Sequence, residues 1–127
     1  MRILGKTSRV LALLVVLIFK LFFLPVTLLA KPVTGLVSWY GQKFAGKKMA
    51  NGEKFDPSKL TAAHRSLPFG TQVRLICRKT QREVIVTITD RGPVQKTRTL
   101  DISRAAADAL GIRDRGIARV EIEPLKR

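Results

Sequence analysis

Residues 83–93 read "EVIVTITDRGP". The first seven, "EVIVTIT", are β-branched at nearly every position, which suits a strand covered on both sides or closed into a barrel. The strand runs out at Asp90, and Gly92 and Pro93 turn the chain at once. An acid fixed at a strand end by a rigid turn is either a cap on that turn or a placed reactive group. The stretch by itself leaves both open.

Outward from this segment the strand signals continue. "TQVRLIC" (71–77) sets Val73, Leu75 and Cys77 on one face and Gln72, Arg74 and Ile76 on the other. "TGLVSWY" (34–40) alternates. "TRTLDI" (97–102) and "ARVEIEPL" (118–125) are shorter, and in the second Val120 and Ile122 alternate with charges. Turn-rich loops separate them, notably "GQKFAGKKMANGEKFDPSK" (41–59) and "RGPVQK" (91–96). One helix is expected. Ser103 is its N-cap, "RAAADAL" has high helix propensity and Gly111 stops it. Many short strands with one short helix predict a small, mostly-β barrel over residues 35–125, roughly 90 residues and enough for one modest core. "KPVT" (31–34) reads as a linker.

The first thirty residues differ in kind. A basic leader, "MRILGKTSR", precedes the apolar runs "VLALLVVLIF" and "LFFLPVTLLA". A positive start, an apolar stretch and a small residue at Ala30 make an export signal. Val10 to Leu29 is also nearly long enough to span a bilayer, which takes about 20 apolar residues. Residues 1–30 are therefore a signal peptide or a membrane anchor, and in either case the rest lies outside the membrane. No cysteine follows the apolar run, so no lipid-attachment site is visible. The single Cys77 forms no intramolecular disulfide and reads as a small hydrophobe near a strand end.

Charge sets the partner class. The chain holds 24 Lys+Arg against 9 Asp+Glu, a net +15, and its first acid is Glu53. Residues 1–31 carry five cations and no acid, leaving +10 on the remainder. Such an excess calls for an anionic partner. Export demotes nucleic acid and promotes wall glycans, teichoic acids and lipid headgroups.

The residues able to do chemistry are few. One histidine, His64, cannot supply a zinc site, which needs several His or Cys ligands at close spacing. No nucleophile elbow and no phosphate-cradling glycine loop is present. What remains is acids: Glu53 after "NG", Asp56 in "FDPSK", Asp90 at its strand end and Asp101 ahead of the helix. With one histidine they fit general acid/base work on a glycosidic bond, and they fit turn caps equally well. Asp56 and Asp101 read as structural. Trp39 and Tyr40 either stack on sugar faces or pack at the barrel rim.

The segments "SWYG", "ANGEKFD", "LTAAHRSLPFGTQV", "VTITDRGP" and "LDISRAAADALG" occur in this order and together resemble the rare lipoprotein A (RlpA) family over residues 35–125. The resemblance implies a six-stranded double-psi β-barrel with one or two short helices. It also implies an exported peptidoglycan lytic transglycosylase of the periplasm or cell envelope, monomeric and without cofactor or metal. Such enzymes act on glycan strands stripped of stem peptides. They cleave between N-acetylmuramic acid and N-acetylglucosamine and leave a 1,6-anhydro sugar. Carried over by motif, the catalytic positions are Asp90, Glu53 and His64, with Trp39, Tyr40, Asn51 and Arg91 as substrate-binding positions. Two alternatives stand beside this: an expansin-like module that holds glycan without cutting it, and a hydrolase that uses water.

Such a reaction needs one acid, which protonates the glycosidic oxygen and then takes the proton from the attacking O6. It must start protonated, and burial or a neighbouring carboxylate favours that state. Asp90 with Glu53 nearby is the expected pair. The Arg91 side chain is expected to face away, because adjacent strand residues point to opposite faces. Four features depart from the family pattern: Met49 in place of the frequent threonine, a "CRKTQRE" hairpin without an Asn-Gly turn, the missing lipobox cysteine, and no glycan-binding sporulation-related repeat after the barrel.

Overall fold

The run after Glu83 does form the longest strand. In the computed structural model, which describes residues 4–22 and 32–125, the elements are α1 (Leu4–Phe22), β1 (Thr34–Trp39), β2 (Thr61–Ala63), β3 (Gln72–Cys77), β4 (Arg82–Asp90), β5 (Leu100–Ile102), α2 (Arg104–Leu110) and β6 (Ile117–Pro124). The chain divides into two units, Met1–Lys31 and Pro32–Arg127. In the first, the apolar side chains of α1 from Val10 to Phe22 are exposed. Among the described residues no helix is long and apolar enough to cross a membrane. The expected signal or anchor extends over residues 23–30, which lie outside the described residues.

The second unit is a closed barrel of six strands in the order β1-β5-β2-β4-β3-β6. Two of its pairings are parallel, β1 with β5 and β2 with β4; the other four are antiparallel. Over most of its length β4 is covered on one side only, its outer face being covered at Thr89. Val84, Val86 and Ile88 are buried while Ile85 is 40% exposed, so its β-branched run reflects barrel closure and not burial on two faces. Val73, Leu75 and Cys77 point inward as the alternation of β3 requires. They meet Val37, Ala62, Leu100, Ile102, Val120 and Ile122 in one core.

Helix α2 adds Ala106, Ala107 and Leu110 to that core. Ser103 caps it, its hydroxyl oxygen accepting the Ala106 N–H at 3.2 Å, and Gly111 closes it at φ 69°. Gly35 is a point of close packing, since a Cβ there would fall onto the Thr99 hydroxyl and the Ile122 methyl. Two expectations shift. β1 begins at Thr34, the last residue assigned to the linker. Thr61–Ala63, in "LTAAH", is a strand that periodicity did not mark. Three residues, two of them alanine, carry no β signal, and only pairing to β4 and β5 makes them a strand.

Candidate active site

Register aligns the site. Ser38 pairs with Asp101, Asp101 with Ala63, and Ala63 with Asp90, across β1, β5, β2 and β4. One row of the barrel thus carries two carboxylates, with Tyr40 just beyond the end of β1 and His64 just beyond the end of β2. A register shift between Ala62 and Ala63 is what brings Ala63 opposite Asp90.

Asp90 is half-buried and holds three donors. Its Oδ1 accepts the backbone N–H groups of Ala50 (2.9 Å) and Arg91 (2.8 Å), and its Oδ2 accepts the Tyr40 hydroxyl (2.9 Å). The Arg91 bond is a local cap on the turn. The other two donors come from 40 and 50 residues away, which no turn cap requires. The Tyr40 ring lies between Phe44 (centroids 5.5 Å apart, edge-on) and Phe55 (4.8 Å). Burial, reinforced by the bond to Asp90 and by the charges of Asp90 and Asp101, pushes the phenol far above the ordinary tyrosine range. Tyr40 therefore stays a donor to Asp90.

His64 is placed by its main chain, whose N–H donates to the Asp90 carbonyl at 3.1 Å. Its Nδ1 accepts the N–H groups of Ser66 (3.1 Å) and Leu67 (2.9 Å). A ring nitrogen that accepts two bonds carries no proton, so the proton sits on Nε2. Burial, with help from the nearby charges of Arg65 and Arg91, lowers the imidazole pKa below its ordinary value. His64 is thus a neutral ring with one free N–H to offer.

Glu53 rides on a tight turn. Met49 N–H donates to the Glu53 carbonyl, and the Glu53 N–H donates to the Asn51 side-chain oxygen at 3.0 Å. The turn docks on the end of β4 through Ala50 N–H to the Asp90 carboxylate and Asn51 N–H to the Thr89 carbonyl. Buried Met49 sits beneath it, its Sδ accepting the Thr89 hydroxyl. The turn carrying Glu53 is therefore brought to Asp90. The Glu53 side chain is exposed and makes no hydrogen bond or ion pair among the described residues. The side-chain partner of Asp90 is the Tyr40 phenol in place of the expected second carboxylate.

The remaining candidates serve the frame. Arg91 turns away from Asp90, as alternation requires. Its guanidinium donates to the carbonyls of His64 (3.2 Å) and Leu67 (2.9 Å) and lies 3.9 Å over the Phe69 ring. Trp39 packs on the core and donates its indole N–H to the Arg113 carbonyl. Asp56 caps its own turn by accepting from Ser58, whose bonds hold the carboxyl below its usual range. Asp101 accepts the Ser38 hydroxyl and pairs with Arg98 at 3.6 Å.

Beside these residues lies a cavity of about 490 Å³, lined by Trp39, Tyr40, Phe44, Arg98, Asp101 and Arg115 among others. Periodicity gives no reason to pick Arg98 or Arg115: Arg98 lies in the loop before β5 and Arg115 ends a single 3-10 turn before β6, and only the fold carries them to Tyr40. No group of three or more His, Cys, Asp or Glu able to hold a metal occurs among the described residues. The arrangement offers one well-held carboxyl, one neutral imidazole N–H and a cationic rim.

A family model described as lytic transglycolase matches residues 33–122. The probable endolytic peptidoglycan transglycosylase RlpA of Nostoc sp. is 50% identical over 95 residues, covering 73% of this chain and 26% of that protein. The endolytic peptidoglycan transglycosylase RlpA of Neisseria meningitidis serogroup A is 45% identical over 92 residues, covering 72% and 38%. The chain thus spans well under half the length of the curated relatives it matches. Among solved structures, the Streptomyces papain inhibitor superposes with a TM-score of 0.61 at 22% identity, over 76% of this chain and 96% of that one. An expansin of Clavibacter michiganensis in complex with cellohexaose gives 0.61 at 16%, over 76% and 51%. One barrel thus carries a protease inhibitor and an expansin, and the fold does not choose between functions.

Proposed function

This chain belongs to the RlpA-type lytic transglycolase family, and from that premise we propose that it is an exported endolytic peptidoglycan transglycosylase. Its substrate is the muramic acid–glucosamine bond of peptide-stripped glycan strands, and its product is a 1,6-anhydromuramic end. The supporting observation is the Asp90 carboxyl, fixed by three donors, two of them remote in sequence. In its protonated form Asp90 gives its proton to the bridging oxygen as the C1–O4 bond breaks. The muramic O6 attacks C1 and loses its proton to the same carboxylate. One C–O bond breaks, another forms, the proton returns to Asp90 and no water is consumed. A single carboxyl therefore suffices, where hydrolysis with its water nucleophile needs two.

In this reading Tyr40 and the Ala50 N–H aim the carboxyl and His64 offers its Nε2–H to the sugar. Glu53, exposed on the docked turn, contacts the substrate together with Asn51. Trp39 shapes the rim, and Arg91 acts by holding the 64–69 loop in place. The protein works as a monomer in the cell envelope or periplasm, delivered or held there by residues 1–30.

The test is Asp90→Asn. Asn keeps an acceptor for the Ala50 and Arg91 N–H groups but cannot deliver and recover a proton. The variant should fold and bind stripped strands while producing no anhydro ends by mass spectrometry. Active, folded Asp90→Asn protein overturns the assignment. Reducing ends from the wild type indicate a hydrolase, and no new ends indicate a binding module.

A further inference from the structure

A second cavity, of about 510 Å³, lies on the outer face of the barrel where β1, β6 and β3 run side by side. Its rim carries Arg78, Lys79, Arg115 and Arg119 against one carboxylate, Glu121. Arg78 already pairs with Glu121, its guanidinium donating to both carboxylate oxygens at 2.7 and 3.0 Å. Lys79, Arg115 and Arg119 form no ion pair among the described residues. Three uncompensated cations thus face one groove, whose floor is apolar through Leu36, Ile76 and Ile117. An apolar floor with charges at its edges suits the faces of sugar rings carrying anionic substituents.

This groove is not isolated from the candidate active site. Arg115 and Ile117 line both it and the cavity beside Tyr40. Tyr40 in turn holds Asp90. From Ile117 the groove follows β6 past Arg119 to Glu121, four residues on, or about 14 Å at the rise of a strand. Its length and the spread of its cations fit a linear polymer with charges at intervals better than a compact anion.

We propose that this face of the barrel is an extended binding track for the part of the glycan strand beyond the bond being cut. Lys79, Arg115 and Arg119 engage free lactyl carboxylates along that strand. The inference rests on the transglycosylase reading and adds a source of substrate choice to it. Removing the stem peptide from muramic acid exposes its lactyl carboxylate, so a cationic track favours stripped strands by attraction. Its effect belongs to binding and not to the chemical step.

The experiment compares the full chain with a Lys79→Glu/Arg119→Glu double variant and with Lys59→Glu, an exposed charge reversal that lines neither cavity. The probes are purified peptide-stripped strands, the same strands with their carboxylates amidated, a glycerol-phosphate polymer and anionic phospholipid vesicles. Binding is measured in an Asp90→Asn background and cleavage in the wild-type background. Reversing two rim charges should weaken binding to stripped strands about tenfold and flatten its salt dependence. KM should rise by a similar factor with kcat retained. The wild type should bind amidated strands as weakly as the double variant binds native ones, and Lys59→Glu should match the wild type. Unchanged affinity of the double variant for stripped strands overturns the track, as does an equal loss on amidated strands or a loss confined to the phosphate polymer or the vesicles. If the wild type never cleaves but the binding pattern holds, the transglycosylase reading fails and the track survives. If cleavage is normal and KM does not respond, the reverse is true.

Discussion

Tyr40 is the chain's only tyrosine, so its titration can be followed without interference from another phenol. Its hydroxyl donates to Asp90 at 2.9 Å, and burial together with the adjacent carboxylates pushes its pKa far above the ordinary value of 10.0. In the unfolded chain the phenol ionises near that ordinary value; in the barrel it does not. The folded state therefore binds the proton more tightly, and this stability is complete below about pH 10 and declines as pH rises toward the folded pKa. Where the unfolded phenol has ionised and the folded one has not, stability falls by about 1.4 kcal/mol per pH unit, and solvent screening of a half-buried ring shortens the pH range over which that holds. Tyr40→Phe keeps the packing on Phe44 and Phe55 but loses the hydroxyl. At neutral pH it should be about 1 kcal/mol less stable, the net worth of one hydrogen bond, and its alkaline decline should be shallower. The two stability curves converge within about two pH units above 10. Denaturant unfolding, read by the fluorescence of the single tryptophan at a series of pH values, measures the difference, and titrations common to both chains cancel. Tyrosinate absorbance of the folded wild type should appear only with unfolding. A Tyr40 that ionises near pH 10 in the folded protein, or a Phe variant with the full alkaline slope, refutes the argument. The same substitution should slow cleavage about tenfold, because the carboxyl then loses the phenol that aims it.

His64 has a depressed pKa, so its neutral form stabilises the fold above its ordinary value of 6.5 and that contribution is lost as pH falls below it. His64→Asn, whose side-chain oxygen can accept from Ser66 and Leu67, should remove this acid-side loss; an unchanged acid profile counts against the assigned tautomer. Gly35→Ala forces a methyl onto Thr99 and Ile122 and should cost about 1–3 kcal/mol by thermal or denaturant melting. Wild-type stability in that variant would mean the wall is looser than its geometry. Gln81 closes the β3–β4 hairpin at φ 57°, a left-handed conformation costly for a residue with a Cβ, and Gln81→Gly should gain about 0.5–1 kcal/mol despite its greater unfolded-state entropy. A loss of stability would show that the Gln side chain offsets the strain.

The sequence determined those features that depend on near neighbours. Alternation along residues 72–77 and 83–89 decides which side chains enter the core, because successive Cβ atoms on a strand point to opposite faces. Ser103 and Gly111 bound the helix because capping is settled within one turn. Asp90 at a strand end, and Arg91 facing away from it, follow from the same local rule. The motifs in register also named the family that the comparisons show. Tertiary structure decided the rest. Thr61–Ala63 has no strand signal of its own and becomes one only by lying between β4 and β5. The row Ser38–Asp101–Ala63–Asp90 exists because barrel closure fixes the register of four strands that are far apart in sequence. Tyr40, and not Glu53, became the partner of Asp90 because a side-chain hydrogen bond forms where the closed barrel brings donor and acceptor within 3 Å, and no spacing along the chain records that distance.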